Sequence, residues 1–433
     1  MQNVGVTSTR SFDRSSIRPL HIKAAVGGVG GQFCDGYVLG IIGIAIALAT
    51  TPLGLDALWL GLLGGAALIG LFLGSLLTGP LADRFGRKHI YRWNMALFCV
   101  VSVAQFFAQN AEQLLVLRLL LGLALGSDFV VGVSLVAELV PKRFRGPLLA
   151  LMAVAWTLGF TVSYVIGYLL QSLGDDAWRW ILFSSAVPAL LVFIARQGTP
   201  ESPLWLMKKG RLREARDVME RLGGGDLPTA EANAVKVSWS QLFSRKWRRN
   251  TLVGAVFYTC QVIPYFAMST FIPRIFTALK VEDSYTGGLI YNVFLLAGAV
   301  AGLMVINRLT RRSFLIGTFT INAIALFVLA TWSGMPAVYV VGVFAVFAFV
   351  MAASGVLEFA YTSELFPTEL RASGVGLSVA ASRIGAAAGT FLLPVMMERF
   401  GTASAIGACV AALVIGALVC LRWAPETNPR YVQ

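Results

Sequence analysis

From residue 24 onward the chain is cut into runs of roughly 20 almost wholly apolar residues, set off by short charged or Pro- and Gly-rich breaks. This pattern constrains the fold more than any other feature. A helix rises about 1.5 Å per residue, so each run matches the ~30 Å hydrocarbon layer of a membrane. The breaks predict spans at 24–48, 58–82, 89–108, 113–137, 147–170, 178–196, 250–276, 285–307, 313–331, 337–362, 371–397 and 402–423. Composition agrees: 57% of residues are hydrophobic, 13% are charged and the mean hydropathy is +0.74, too apolar for a wetted globular surface. The expected fold is an all-α membrane protein of twelve transmembrane helices.

A net charge of +13 suggests nucleic acid in a soluble protein, but its distribution here follows topology. Arg10, Arg14, Arg18 and Lys23 precede the first span; Arg84, Arg87 and Lys88 follow the second; Lys142, Arg143 and Arg145 follow the fourth. Residues 197–249 are crowded with Lys and Arg, and Arg308, Arg311 and Arg312 follow the eighth span. The alternate loops carry Asp56, Glu112, Asp175 and Asp176. The positive-inside rule therefore predicts that both termini are cytoplasmic. A nucleic-acid partner is excluded, and the lipid bilayer is the expected surroundings. The first residues are polar without a long apolar core, so no cleavable signal peptide is expected. Cys34, Cys99, Cys260, Cys409 and Cys420 are scattered through predicted helices and read as buried thiols.

Three motifs recur in one order. Asp83-Arg84-Phe85-Gly86-Arg87-Lys88 returns as Asn307-Arg308-Leu309-Thr310-Arg311-Arg312, offset by 224 residues. Glu138-Leu139-Val140-Pro141 with Arg145 returns as Glu364-Leu365-Phe366-Pro367 with Arg371, offset by 226, and Pro200-Glu201-Ser202 returns as Pro425-Glu426-Thr427, offset by 225. A common offset means a duplication of about half the chain, and paired halves of this kind enclose a site at their interface. The domain layout is a segment at 1–23, a six-helix bundle at 24–196, a linker at 197–249, a second bundle at 250–423 and a tail at 424–433. In the linker, Trp205, Leu206, Leu212, Ala215, Met219 and Leu222 recur at helical steps, which predicts an amphipathic brace. Trp239, Leu242, Phe243 and Trp247 among Arg and Lys predict a second amphipathic segment at the headgroups.

Gly79-Pro80-Leu81-Ala82-Asp83-Arg84-Phe85-Gly86-Arg87-Lys88, between the second and third spans, resembles the hallmark loop of the major facilitator superfamily. Arg118, Gly122-Leu123-Ala124-Leu125-Gly126, the element from Glu138 to Arg145 and Pro200-Glu201-Ser202-Pro203-Leu204-Trp205-Leu206 resemble its sugar-porter and metabolite-proton symporter branch, in particular bacterial inner-membrane metabolite transporters. The likeness covers the whole chain and implies two pseudo-symmetric six-helix bundles, a location in a bacterial inner membrane and the proton as coupling ion, with no other cofactor. It also implies that Asp35 is similar to the first-helix aspartate that carries the proton, and Arg118 to its fourth-helix partner. The chain departs from sugar porters in its seventh helix, where only Gln261 of Tyr258-Thr259-Cys260-Gln261 fits their sugar-binding pattern. Trp156-Thr157-Leu158-Gly159 also stands where they place a glutamine, which argues against a simple hexose.

Charges inside spans mark chemistry, because each costs about 2.5–3.5 kcal/mol to insert. Counted along the helices, Asp128 lies ~15 Å from Glu138 and Arg383 ~18 Å from Arg371, both near mid-membrane. Asp128 is therefore a second candidate for proton coupling, with a structural ion pair as the plain alternative for both residues. Arg383 presents a planar fork suited to a carboxylate, making an anionic metabolite the leading substrate expectation. Trp156, Gln261, Tyr265, Tyr37 and Tyr361 complete the predicted substrate wall, with Tyr164 and Tyr291 as further aromatic candidates. Glu358 falls ~9 Å from the cytoplasmic end and is assigned to an inner gate. The gate further comprises Asp83, near the start of the eleventh helix at Ala372 and Ser373, with Glu138 and Glu364 pairing across the halves to Arg87, Arg145, Arg308, Arg312 or Arg371. No nucleophile–base or metal constellation appears, so the chain is not expected to be an enzyme. Proton-driven uptake of a small anionic metabolite by a monomer is expected. A carrier for a neutral sugar or polyol, or a membrane receptor, is the alternative.

Overall fold

The apolar runs fold as helices because hydrocarbon offers no partner for backbone N–H and C=O groups outside the helix ladder. The computed structural model describes residues 16–224 and 239–428; Arg10 and Arg14 of the basic N-terminal segment lie outside the described residues. The N-terminal half contains α1 (Pro19–Ala49), α2 (Ala57–Phe85), α3 (Arg87–Phe106), α4 (Ala111–Leu139) and α5 (Lys142–Leu170), followed by a sixth span divided into α6 (Ala177–Phe183) and α7 (Ala186–Ala195). Two linker helices, α8 (Pro203–Lys208) and α9 (Leu212–Leu222), come next. The C-terminal half contains α10 (Arg248–Thr270) with α11 (Ile272–Ala278), α12 (Ser284–Val305), α13 (Arg311–Thr331), α14 (Ala337–Gly355) with α15 (Leu357–Glu364), α16 (Thr368–Phe400) and α17 (Thr402–Trp423). Counting the divided spans once, these give twelve crossings in two halves of six. Eleven are apolar enough to span alone. The other, α3, carries Arg87, Lys88 and Arg92 in its first turns and Asn94 and Gln105 farther along, and packs against α4, α6 and α7.

Small residues set the crossings within each half. At the α1–α5 crossing, a Cβ on Gly36 would sit 1.8 Å from the Trp156 carbonyl oxygen, and one on Gly159 would sit 2.0 Å from that of Phe33. Only glycine lets the two backbones meet there, and Gln32 on α1 and Trp156 on α5 line one cavity beside this crossing. The predicted amphipathic brace is broken at Gly210, whose φ is +76°, into α8 and α9. Its apolar face docks Trp205, Leu206, Ala215, Val218, Met219 and Leu222 onto Ala24, Tyr91, Leu135 and Leu139 of the N-terminal half. Arg18 ties the entry of α1 to it by donating to the Glu220 carbonyl at 3.0 Å.

The halves meet at the ends opposite the basic loops. Thr161 on α5 donates to the Asn292 carbonyl on α12 at 3.1 Å, and the hydroxyls of Tyr168 and Thr286 lie 3.3 Å apart. Gly43 on α1 packs against the Thr270 carbonyl, and Gly61 on α2 against that of Phe391 on α16. All five described cysteines are free thiols.

Candidate functional site

Between the halves, on the basic-loop side of the Thr161–Asn292 contact, lies a cavity of about 110 Å³. Two of the four spans contributing most of its C-terminal wall are irregular near it: α10 contains Pro264, and α14 stops at Gly355 before α15 begins at Leu357. Gly355 and Val356 at that break line the cavity, as does Glu358 one turn on. Interrupted helices are where membrane proteins place binding groups, because the loosened backbone faces a cavity rather than lipid. Arg383 on α16 is 8% exposed, its Nε has no partner, and its guanidinium lies 5.7 Å from the ring of Phe129 on the opposite half. Tyr258 sits beside both Glu358 and Arg383.

Aromatic rings close one wall. Trp156 stacks on Phe160 with centroids 5.6 Å apart and meets Tyr265 and Phe266 of the C-terminal half at 6.1 and 6.2 Å. The structure therefore brings Arg383, Trp156 and Tyr265 together as the sequence suggests, and adds Gln32, Phe129 and Thr157 to the lining. It does not bring the rest of the predicted wall there. Gln261 turns away to donate to Ser354 at 2.9 Å; Tyr37 shares a hydrogen bond with Ser184 at 2.8 Å; Tyr361 donates to the Pro425 carbonyl at 2.9 Å. Each of these donors meets a partner inside its own half, as buried polar groups tend to, although the Gln261 Oε1 is buried without one. Tyr291 likewise bonds Ser269 at 2.8 Å, and Tyr164 packs on Gly288.

Asp35 is buried, with one carboxylate oxygen accepting from Gln32 at 3.3 Å and the other unpartnered. Gln32 also lines the cavity, so it connects the two. The charged groups facing Asp35 are Asp128, Arg196 and Arg383. Arg118 is not in direct contact with it: its guanidinium is fully buried and reaches only the Val38 carbonyl, at 3.4 Å, one turn farther along α1. This conformation keeps the expected pair apart.

Asp128 forms an ion pair whose partner, Arg196, the sequence reading missed. Arg196 at the end of α7 grips it through both terminal nitrogens, one at 3.0 Å, while also donating to the carbonyls of Gly27 and Tyr91 and to Asn94. The Tyr91 ring lies 3.7 Å from the guanidinium carbon, and both charged side chains are essentially without exposure. A carboxylate held this way on two sides matches the structural pair named above as the alternative to proton coupling. The signal was present as an arginine at the edge of an apolar run, but such a residue usually marks a span's end.

On the basic-loop face the duplicated motifs form two matching clusters. Glu201 accepts the N–H groups of Arg87 and Lys88 at 3.0 Å each, and Glu426 those of Arg311 and Arg312 at 3.0 and 3.1 Å. Glu138 pairs with Arg87 and accepts from Ser202; Glu364 takes a two-point contact from Arg311 at 3.2 Å and accepts from Thr427 at 2.6 Å. Each motif thus caps the start of its half's third span, satisfying N–H groups that a helix leaves open. Burial opposes ionisation of Glu426, but the N–H groups of Asn428, Arg312, Arg311 and Thr427 outweigh it and hold the carboxyl below its ordinary range.

These contacts revise the gate. The pairs Arg87–Glu138 and Arg311–Glu364 lie within one half each rather than across the two, and Arg311 takes the part expected of Arg308 or Arg312. Arg312 instead reaches the Leu421 carbonyl at 2.7 Å, and Arg308 lies in the turn before α13. Arg145 and Arg371 donate to carbonyls of their own halves, those of Val140 and Ser363, at 2.9 and 3.0 Å. Asp83 pairs with Lys208 at 3.5 Å, both exposed, in place of the start of α16; the Ala372 side chain lies outside the described residues. Glu358, on the α15 that ends at Glu364, lines the cavity.

Twelve helices in two related halves around a mid-membrane cavity define a transporter of the major facilitator type. The profile of the family described as sugar (and other) transporter matches residues 23–433, and the chain belongs to that family. It is 39% identical over 428 residues to the inner membrane metabolite transport protein YgcS of Escherichia coli strain K12, covering 98% of this chain and 95% of that protein. It is 36% identical over 423 residues to the metabolite transport protein YaaU of the same strain, covering 97% and 95%. In fold it is similar to the xylose transporter XylE from Escherichia coli in a partially occluded inward-open conformation, with a TM-score of 0.80, 21% identity and coverage of 96% of this chain and 100% of that one. The chain is a multi-pass membrane transporter and not an enzyme.

Proposed function

We propose that this transporter couples uptake of a small organic anion, a sugar acid or another carboxylate, to protons by alternating access. The observation that carries the reading is Arg383: an arginine 8% exposed, lining a cavity, with Nε unpartnered. A buried charge needs a partner, and a carboxylate meets the arginine fork with two parallel hydrogen bonds. Arg383 is also one of the positive charges facing Asp35. Neutralising it with an anion removes a charge that favours ionised Asp35, so anion and proton enter together, with Gln32 linking their sites. With the basic loops cytoplasmic in a bacterial inner membrane, the contacts at Thr161, Tyr168 and Gly61 close the outside, and the substrate leaves inward. Breaking them while the loop faces approach reverses access. One copy contains both halves of the cavity, consistent with a working monomer.

The test is ligand-induced thermal stabilisation of the purified protein by sugars, sugar acids, aromatic acids and amino acids, repeated with Arg383→Lys and Arg383→Gln. An anionic ligand is expected to bind wild type, to weaken sharply with Lys, which keeps charge but loses the fork, and to be lost with Gln. A neutral sugar or polyol is the second reading, favoured by the fold's likeness to a xylose transporter. Equal binding of an uncharged sugar to wild type and Arg383→Gln would establish that reading instead.

A further inference from the structure

The cavity contains a second ionisable group that an anion site alone does not call for. Glu358 lines it on α15 while Arg383 lines it on α16, and among the described residues neither closes an ion pair within 4.0 Å. Glu358 follows the break after Gly355, and the glycine leaves the carboxylate room: a Cβ at Gly355 would find only the Glu358 Oε1, at 4.0 Å. A carboxylate beside an anion is repulsive unless something with hydrogen to donate lies between them. Tyr258 sits beside both charges, and Trp156, Tyr265 and Phe129 give the same cavity its aromatic lining.

We infer that the substrate is two-ended: a carboxylate bound by Arg383 and, across the same body, a donor group, hydroxyl or ammonium, bound by Glu358. A sugar acid supplies hydroxyls and an amino acid an ammonium, while both offer Trp156 an apolar face. A simple monocarboxylate supplies one end only and leaves Glu358 facing its charge. The inference rests on the anion reading of Arg383 and adds the role of Glu358 as a specificity-determining group.

The experiment measures Kd by thermal stabilisation of the full chain with four probes: D-glucuronate, L-phenylalanine, 3-phenylpropionate and D-glucose. Wild type, Glu358→Gln, Glu358→Leu and Arg383→Gln are compared. Wild type is expected to bind at least one of the first two probes at least tenfold more tightly than 3-phenylpropionate and D-glucose. Which of the two binds identifies the donor as hydroxyl or ammonium. Glu358→Leu is expected to weaken that probe at least tenfold and to leave 3-phenylpropionate unchanged or tighter, and Glu358→Gln to discriminate against the ammonium more than against hydroxyls. The inference is overturned if 3-phenylpropionate binds wild type as tightly as either two-ended probe, if none of the four binds, or if Glu358→Leu leaves the two-ended probe's Kd unchanged. Loss of binding in Arg383→Gln but not in Glu358→Leu would defeat the inference while sparing the anion reading. Unchanged binding in Arg383→Gln would defeat both.

Discussion

Replacing Arg196 with Met tests whether the pair it forms with Asp128 is architecture. The variant keeps much of the side chain's length but strands the Asp128 carboxylate where both partners are about 1% exposed or less. It also removes donors to the Gly27 and Tyr91 carbonyls and to Asn94. Breaking a buried pair from one side costs about 3–5 kcal/mol, since the remaining charge keeps its desolvation cost and loses its compensation. At roughly 2–4 °C per kcal/mol for a bundle this size, the unfolding transition is expected to fall by about 6–20 °C. Asp128→Leu, leaving Arg196 unpaired, is expected to fall comparably. The double variant Asp128→Leu with Arg196→Met removes both charges and is expected to recover much of the loss, because an apolar replacement for a buried pair is often neutral. Thermal unfolding of the detergent-purified protein, followed by fluorescence, gives all three numbers. A double variant no better than the worse single one would refute the argument, as would single variants melting with wild type. In either case Asp128 would return as a candidate for proton exchange.

Asp35→Asn is expected to abolish uphill accumulation of substrate in proteoliposomes while leaving exchange between compartments of equal pH; full acid-driven accumulation would remove Asp35 from the proton path. Glu426 has a lowered pKa in the folded protein, so the stability it contributes is fully present above its ordinary value of 4.5 and is lost as pH falls through the folded value. Melting of Glu426→Gln measured from pH 7 down to 3 is expected to show a difference from wild type that shrinks at the acid end, and a constant difference would contradict the assignment. Gly159→Val places its branched side chain against the Phe33 carbonyl, where even a Cβ would stand at 2.0 Å, and is expected to reduce the folded yield in the membrane. Normal yield and melting would show that the α1–α5 crossing tolerates separation.

The spans and the duplication were legible because each is a pattern repeated along the chain: apolar length records membrane thickness, and a shared offset records the halves. Even α3, with three basic residues in its first two turns, was readable from the breaks on either side, although its composition alone does not mark a span. Arg383 and Trp156 were legible as cavity-lining residues because mid-membrane charge and a broad aromatic ring are costly or conspicuous there. Gln261, Tyr37 and Tyr361 were not separable from them, since helix periodicity does not tell which side of a bundle interior faces a neighbour and which faces the cavity. Glu358 was read only for its depth, and depth does not tell that the cavity reaches as far toward the loop face as α15.

The duplication itself separates the two kinds of charge. On the loop face Arg87, Glu138, Glu201 and Ser202 return as Arg311, Glu364, Glu426 and Thr427, with the same contacts. In the interior, an offset of 225 aligns Asp35 with Cys260, Asp128 with Ala353, Arg196 with Leu421, Arg383 with Leu158 and Glu358 with Val133. A rocking cycle requires matching hardware at the ends of both halves, because each must be held rigid while the cavity changes its exposure. Recognition and proton exchange have no such need, since a substrate or a proton is not itself symmetric. The N-terminal half accordingly neutralises Asp128 with Arg196 and leaves Asp35 beside Gln32, while the C-terminal half leaves Arg383 and Glu358 facing the cavity. The residues proposed for recognition and proton exchange therefore lie where the two halves stopped resembling each other.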